Sequence, residues 1–195
     1  PYRGSARDFV LGVTCVNGRG ESLRFGGQVM KNVAGYDVSR LMVGAMGTLG
    51  AILDVSFKVL PVPETEQTRV YEVSEEMAIE KMNEWAAQPW PLSAACYLKN
   101  ELRIRLSGTE VGVAAAAREL GGSQDREGDP FWQAMREQRL PFFESADVLW
   151  RLVVPPATPP LGLAGDTLVD WGGAQRWLST SQGDDVVRAA VQAVD

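Results

Sequence analysis

The glycines between Gly26 and Gly50 are the first residues whose types and spacing could do chemistry. Gly44, Gly47 and Gly50 stand three apart. Gly47-Thr48-Leu49-Gly50 lacks a Cβ at two places just before an apolar alternation, so backbone N–H groups there could approach an anion or the edge of a ring. A tight helix-to-strand turn with no ligand fits the same residues, and spacing leaves both readings open. The segment is not G-x-G-x-x-G, and it precedes a strand where a dinucleotide fingerprint follows one. No Gly-Lys-Ser/Thr closes it, so it is not a Walker loop either.

Other residues offer weaker signals. Arg103 and Arg105 are two apart on a strand-like run, so they share a face. Guanidinium groups there could take a carboxylate bidentately, or the pair could be a solvated sheet face. Asp170-Trp171-Gly172-Gly173 with Arg176 could face an active site, or could be a strand-turn-strand corner. Trp85, Trp90, Trp132, Trp150, Trp171 and Trp177 read as packing aromatics before they read as a ligand platform. Arg136, Glu137 and Arg139 read as an exposed helix face.

The exclusions are firmer. The 195 residues contain no histidine, which removes a His-based triad, an HExxH zinc site and His-ligated haem from this span. Cys15 and Cys96 are far apart and apolar in setting, with no CxxC, so they read as buried free thiols of a reducing compartment and no metal is expected. The net charge of −6 disfavours a phosphate backbone, so no nucleic-acid partner is expected. No apolar run reaches the roughly 18 residues of a membrane span.

The elements around the glycines follow from local pattern. Residues 9–16 are β-branched and apolar, Asn17-Gly18-Arg19-Gly20 is turn chemistry, and 21–25 reads as the return strand. Asp37 stands where a helix N-cap should, with Val38, Leu41 and Met42 on one face and Gly44 as the stop. After Gly50, Leu53, Val55, Phe57 and Val59 alternate with polar residues, predicting a half-buried strand that Pro61 and Pro63 end. The polar, Pro-stiffened stretch 61–66 is the expected domain boundary. Beyond it the pattern predicts strand 68–73, helix 74–88, hairpin strands 94–98 and 102–106, and helix 111–120, a split βαββα layout. Residues 123–128 read as a loop and Asp129-Pro130 opens a helix to about 138. A strand at 148–154, a Pro-rich linker, short strands at 167–171 and 174–178, and a helix at 184–194 complete the chain.

The run K-N-V-A-G-Y-D-V-S-R-L-M-V-G-A-M-G-T-L-G-A-I-L over residues 31–53, closing at K-V-L-P-V-P over 58–63, resembles FAD-linked oxidases of the vanillyl-alcohol-oxidase/p-cresol-methylhydroxylase (PCMH) type. The stretch R-G-S-A-R-D-F-V-L-G at 3–12 is similar to the segment that precedes it in those proteins. F-G-G-Q-V-M-K-N-V-A-G-Y-D at 25–37 and V-D-W-G-G-A-Q-R-W at 169–177 point more narrowly to the FAD-binding subunits of glycolate oxidase, and the likeness extends along the whole chain.

That resemblance implies an α+β fold: the C-terminal half of a PCMH-type FAD-binding domain in residues 1–63, then an incomplete α+β, ferredoxin-like cap domain on the substrate side in 64–195. It implies FAD as cofactor. Gly47, Thr48, Leu49, Gly50 and Ile52 would line it, Gly35, Tyr36 and Asp37 would lie near the centre of the flavin domain, and Arg3, Gly4 and Ser5 would lead from the isoalloxazine side. Met46 departs from the pattern, since many relatives carry Glu before G-T-L-G. A phosphate-cradling Gly/Ser loop would precede Pro1 and an Asn-Pro-Gly-Arg ending would follow Asp195, so the 195 residues alone are expected to hold FAD weakly. The implied activity is oxidation of glycolate to glyoxylate as a subunit of a complex. Its expected partners are a second FAD-linked catalytic subunit and an iron–sulfur subunit, in the cytoplasm or held peripherally at a membrane through the complex. A non-catalytic flavin-binding or assembly subunit, or a paralogue for D-lactate or another 2-hydroxy acid, fits the same motifs. No residue reads as the catalytic base.

Overall fold

In a computed structural model, residues 4–28, 35–144 and 148–194 are described. The chain divides into two compact units, one ending at Val62 and the next running on from Pro63.

The first unit is a three-stranded antiparallel sheet with two single-turn helices. It begins with α1 (Ala6–Phe9), then β1 (Val10–Val16) and β2 (Ser22–Gly26). The turn between the strands is closed by Asn17, whose Oδ1 accepts from the N–H groups of Arg19 and Glu21 at 2.9 and 3.1 Å. Next come α2 (Val38–Leu41) and β3 (Ala51–Phe57), in strand order β2-β1-β3. Val10, Val13, Cys15 and Met42 form its small buried core.

The second unit is built on a seven-stranded antiparallel sheet. In chain order it holds β4 (Thr65–Glu72), α3 (Glu75–Ala86), β5 (Leu92–Leu98), β6 (Glu101–Gly108), α4 (Glu110–Leu120) and β7 (Ser123–Asp125). Then follow α5 (Gly128–Arg136), α6 (Pro141–Glu144), β8 (Leu149–Val153), β9 (Asp166–Asp170), β10 (Gln175–Ser179) and α7 (Asp184–Gln192). The strand order is β7-β4-β6-β5-β9-β10-β8. The predicted βαββα layout is present as β4 to α4, and the three later strands extend the same sheet through β9 beside β5.

Period-2 patterning splits the sheet faces. Leu102, Ile104 and Leu106 of β6 point to one face with Ala95 and Tyr97 of β5, and meet Ile79, Met82 and Trp85 of α3 and Val113 and Ala116 of α4. Ser74 and Thr109 cap these two helices by accepting from the N–H groups of Met77 and Gly112. The opposite face carries α5 and α6, with Cys96, Trp132, Leu140, Phe142 and Leu168 buried between.

Several boundaries differ from expectation. Residues 123–125 form an edge strand on β4 rather than a loop, because Asp125 reaches Arg103 across the sheet at 3.2 Å. The helix expected to open at an Asp129 cap starts at Gly128, with Asp129 and Pro130 already in its first turn. No described helix is long and apolar enough to cross a membrane.

Candidate functional site

The loop between α2 and β3 sets the geometry of the first unit's cleft. Asp37 caps α2 by accepting from the Arg40 N–H at 3.1 Å and ion-pairs the Arg40 side chain at 3.2 Å. After α2 the chain turns repeatedly: Ala45 N–H donates to Met42 O and Thr48 N–H to Ala45 O. Gly44, Met46, Gly47 and Gly50 all have positive φ, at 80, 50, 79 and 142°. The N–H groups of Gly44, Met46, Gly47 and Leu49 donate to no described residue. Alternation of handedness with free N–H groups is the construction of an anion-binding concavity. Gly50 is also sterically required, since a Cβ there would sit 2.5 Å from Val16 O.

The strand that follows is not in the phase that its letters suggest. Cys15 lies opposite Ile52 and Val13 opposite Val55, with a β-bulge between Thr14 and Cys15. The bulge changes the alternation, so Ile52, not Leu53, joins Val55 on the side of Val13 and Cys15. Leu53 and Phe57 are more than half exposed, against the expected half-buried face. The reason is coverage: β3 is an edge strand, and one turn of α2 cannot shield its length.

The result is an open cleft of about 440 Å³ between the loop and the sheet. Val13 and Met42 lie at its base, Gly47 and Gly50 on the loop side, and Ile52 and Phe57 on the strand side. Every described side chain lining it is apolar. Among the described residues it offers backbone donors and a hydrophobic wall, and no acid or base.

The structure brings some of the expected cofactor residues together. Gly47, Gly50 and Ile52 line the cleft; Thr48 and Leu49 are in the same loop but are not among its lining residues. The Thr48 hydroxyl is occupied, donating to Ala45 O at 2.6 Å. Gly35, Tyr36 and Asp37 lie outside the cleft: the Tyr36 side chain is fully exposed and the Asp37 carboxylate is spent on α2. Ser5 donates from both N–H and hydroxyl to Asp8 at 2.8 Å, holding that carboxyl below its usual range, so Gly4 and Ser5 form the cap of α1. Arg3 lies outside the described residues. The sequence reading missed Val13, Met42 and Phe57 as lining residues, because the bulge that aims this face leaves no mark in a period-2 pattern.

The second unit's candidates are also relocated. Arg103 and Arg105 are not on an open sheet face. Arg103 pairs with Glu101 and Asp125 and lies over Phe131, and Arg105 pairs with Glu66 and lies over Trp132. Arg176 is 1% exposed and donates to the carbonyls of Gly173, Pro159 and Thr158, at the wall of a small pocket that Glu75 and Leu161 also line.

No family model matches the chain. It is, however, 50% identical over 194 residues to the glycolate oxidase subunit GlcE of Escherichia coli, a match over 99% of this chain and 55% of that protein. The chain is a relative of the glycolate oxidase subunit GlcE. It spans about half the length of that relative. Shorter matches reach the glycolate oxidase subunit GlcD of Bacillus subtilis, 46% identical over 65 residues, and a D-lactate dehydrogenase of Anaerostipes hadrus, 40% identical over 62 residues. These cover 33% and 32% of this chain and 14% and 13% of those proteins. The GlcE likeness takes in both units, and the mixed α/β architecture with antiparallel sheets is the frame on which it is carried.

Proposed function

We propose that this GlcE relative supplies one wall of an FAD site and acts as the FAD-binding subunit of a glycolate oxidase, in the oxidation of glycolate to glyoxylate. The observation that carries this reading is the first unit's cleft: a loop with positive φ at four residues, where the N–H groups of Gly44, Met46 and Gly47 donate to no described residue, borders it together with an apolar strand. Such a site suits a cofactor with a flat, largely apolar ring system and an anionic chain. Ile52 and Phe57 would pack on a ring, and the N–H groups of Gly44, Met46 and Gly47 would face the anionic or carbonyl edge. When bound, FAD would supply the two-electron oxidant, taking the hydrogen of the alcohol carbon as a hydride while the hydroxyl loses its proton. The first unit is then part of the FAD-binding domain and the second the cap domain.

A second reading has its own support. Among the described residues the cleft is lined by no titratable side chain, and Met46 occupies the place where the motif often has Glu. That favours a flavin-binding or assembly subunit whose chemistry is completed by a second FAD-linked subunit, with an iron–sulfur subunit as electron outlet. Glycolate-dependent dye reduction separates the two. Turnover by this subunit alone supports a catalytic role; flavin binding with turnover only after the partner is added supports the assembly role. Absence of both flavin and turnover in the reconstituted complex contradicts both.

A further inference from the structure

Arg176 of β10 carries a charge into the interior of the second unit, at 1% exposure. Its Nε donates to Gly173 O at 2.9 Å, and its two terminal nitrogens donate one N–H each, to Pro159 O and Thr158 O. A guanidinium has a second N–H on each terminal nitrogen, and among the described residues neither has an acceptor within hydrogen-bond reach. Glu75, at the start of α3, supplies the opposite charge, but its Oε1 lies 3.9 Å from Arg176 Nη1, too far for a direct hydrogen bond. Burial raises the Glu75 carboxyl even with the guanidinium beside it.

Both groups border a cavity of about 120 Å³ on the α3 side of the sheet. Leu152 of β8 and Leu178 of β10 form one wall, and Leu161 and Leu163, from the segment joining β8 to β9, form another. That segment is anchored at two places. Arg176 holds the carbonyls of Thr158 and Pro159, and the Ala164 N–H donates to Gln182 Oε1 at 2.8 Å. Between the anchors the chain is untied: the N–H groups of Leu161, Gly162 and Leu163 donate to no described residue, and Gly162 turns with φ of 67°. Residues 160–163 can therefore yield to an occupant without disturbing the sheet.

Size and chemistry narrow the occupant. A dry cavity of about 150 Å³ takes a benzene, so this one has room for about five heavy atoms. Leucines on two sides call for an aliphatic body. At the polar edge a cation with spare donors and an anion with a spare acceptor stand just too far apart to satisfy each other. One group that accepts from the first and donates to the second satisfies both. The pair is already balanced in charge, so an ion of either sign would leave one charge unmatched in an apolar space.

We propose that this cavity binds a small uncharged molecule with a short aliphatic body and a primary amide head, the amide oxygen accepting from Arg176 and the amide nitrogen donating to Glu75. The site shares no lining residue with the flavin cleft, and its test needs neither cofactor nor turnover, so its failure would leave the function proposed above untouched.

The test uses propionamide, propionate and propylammonium, which are close in shape and differ in charge. Each is titrated into the full-length protein while NMR follows the indole of Trp150, which packs on the same Leu152 and Leu178 core. Propionamide should saturate in the millimolar range, with both ions weaker by about tenfold or more. Leu161→Trp fills the cavity and should remove the binding. Glu75→Gln leaves the guanidinium unbalanced and should reverse the order, with propionate then tighter than propionamide by about tenfold. That variant keeps the test valid if Leu161→Trp fails to fold. Absence of saturable binding, equal binding of the three probes, binding undiminished in a folded Leu161→Trp, or an unchanged order in Glu75→Gln overturns the proposal.

Discussion

Asp170 carries a charge that the fold does not favour. Burial raises its carboxyl from 3.8 to about 6, so the folded chain holds this proton more tightly than the unfolded chain. The contribution to stability is therefore fully present below about pH 4, is lost as pH rises to about 6, and stays lost above. Asp170 borders a cleft of about 580 Å³ on the α5 side of the second unit's sheet, where Glu66 on β4, Arg105 on β6, and Asp129 and Arg136 on α5 also lie, and the buried Cys96 thiol of β5 is its strand partner. Asp170→Asn should stabilise the protein by about 2 kcal/mol at pH 7.5 and leave it unchanged near pH 4, in urea unfolding at the two pH values. A loss of stability at both would show that the hydrogen bond from the Trp171 N–H outweighs the burial of the Asp170 charge. Arg176 is the opposite case. It satisfies three carbonyls and lies 3.9 Å from Glu75, whose carboxyl burial raises. Arg176→Met should cost about 3 kcal/mol or more in the same assay, by leaving those carbonyls unpaired. Its role could not be read from the sequence, because a hydrogen bond to a carbonyl of Thr158 or Pro159 leaves no mark on the letters of either partner.

Loop and strand elements were legible where chemistry is local. The Asp37 cap, the Asn17 turn, the caps of α3 and α4 and the βαββα order follow from short-range patterns. The phase of β3 was not legible, since the bulge opposite Thr14 and Cys15 depends on a partner strand more than thirty residues away in sequence. Nor was the single-turn α1, whose cap is one Ser5–Asp8 pair. The glycines of the α2–β3 loop divide by the same logic. Gly50→Ala puts a methyl against Val16 O and should cost about 2–3 kcal/mol. At Gly47 a Cβ meets nothing, so Gly47→Ala should cost only about 1 kcal/mol, the penalty of a left-handed alanine. Thermal unfolding of the two variants checks the order; equal losses would mean that the loop does not adopt the backbone described.

At the scale of the molecule, each unit has its own sheet, its own core and its own cleft. The motif over residues 31–53 pointed to the apolar cleft of the first unit, although only Gly47, Gly50 and Ile52 of the residues expected from it line that cleft. The polar cleft of the second unit was present in the sequence only as separate hints, Arg105, Trp132 and Asp170-Trp171. Strand order β6-β5-β9 is what assembles them, and pairing between distant strands is the part of a fold that local pattern does not carry. The central claim is that the first cleft is a wall of the FAD site, and Ile52 tests it most directly, being half exposed and on the cleft side of β3. The measurement is an FAD titration of the full-length protein and of its Ile52→Asp variant. The expected result is binding near one FAD per chain in the wild type and affinity lower by about tenfold or more in the variant, from an acid placed against an apolar ring. Equal FAD affinity in the two proteins would contradict the account.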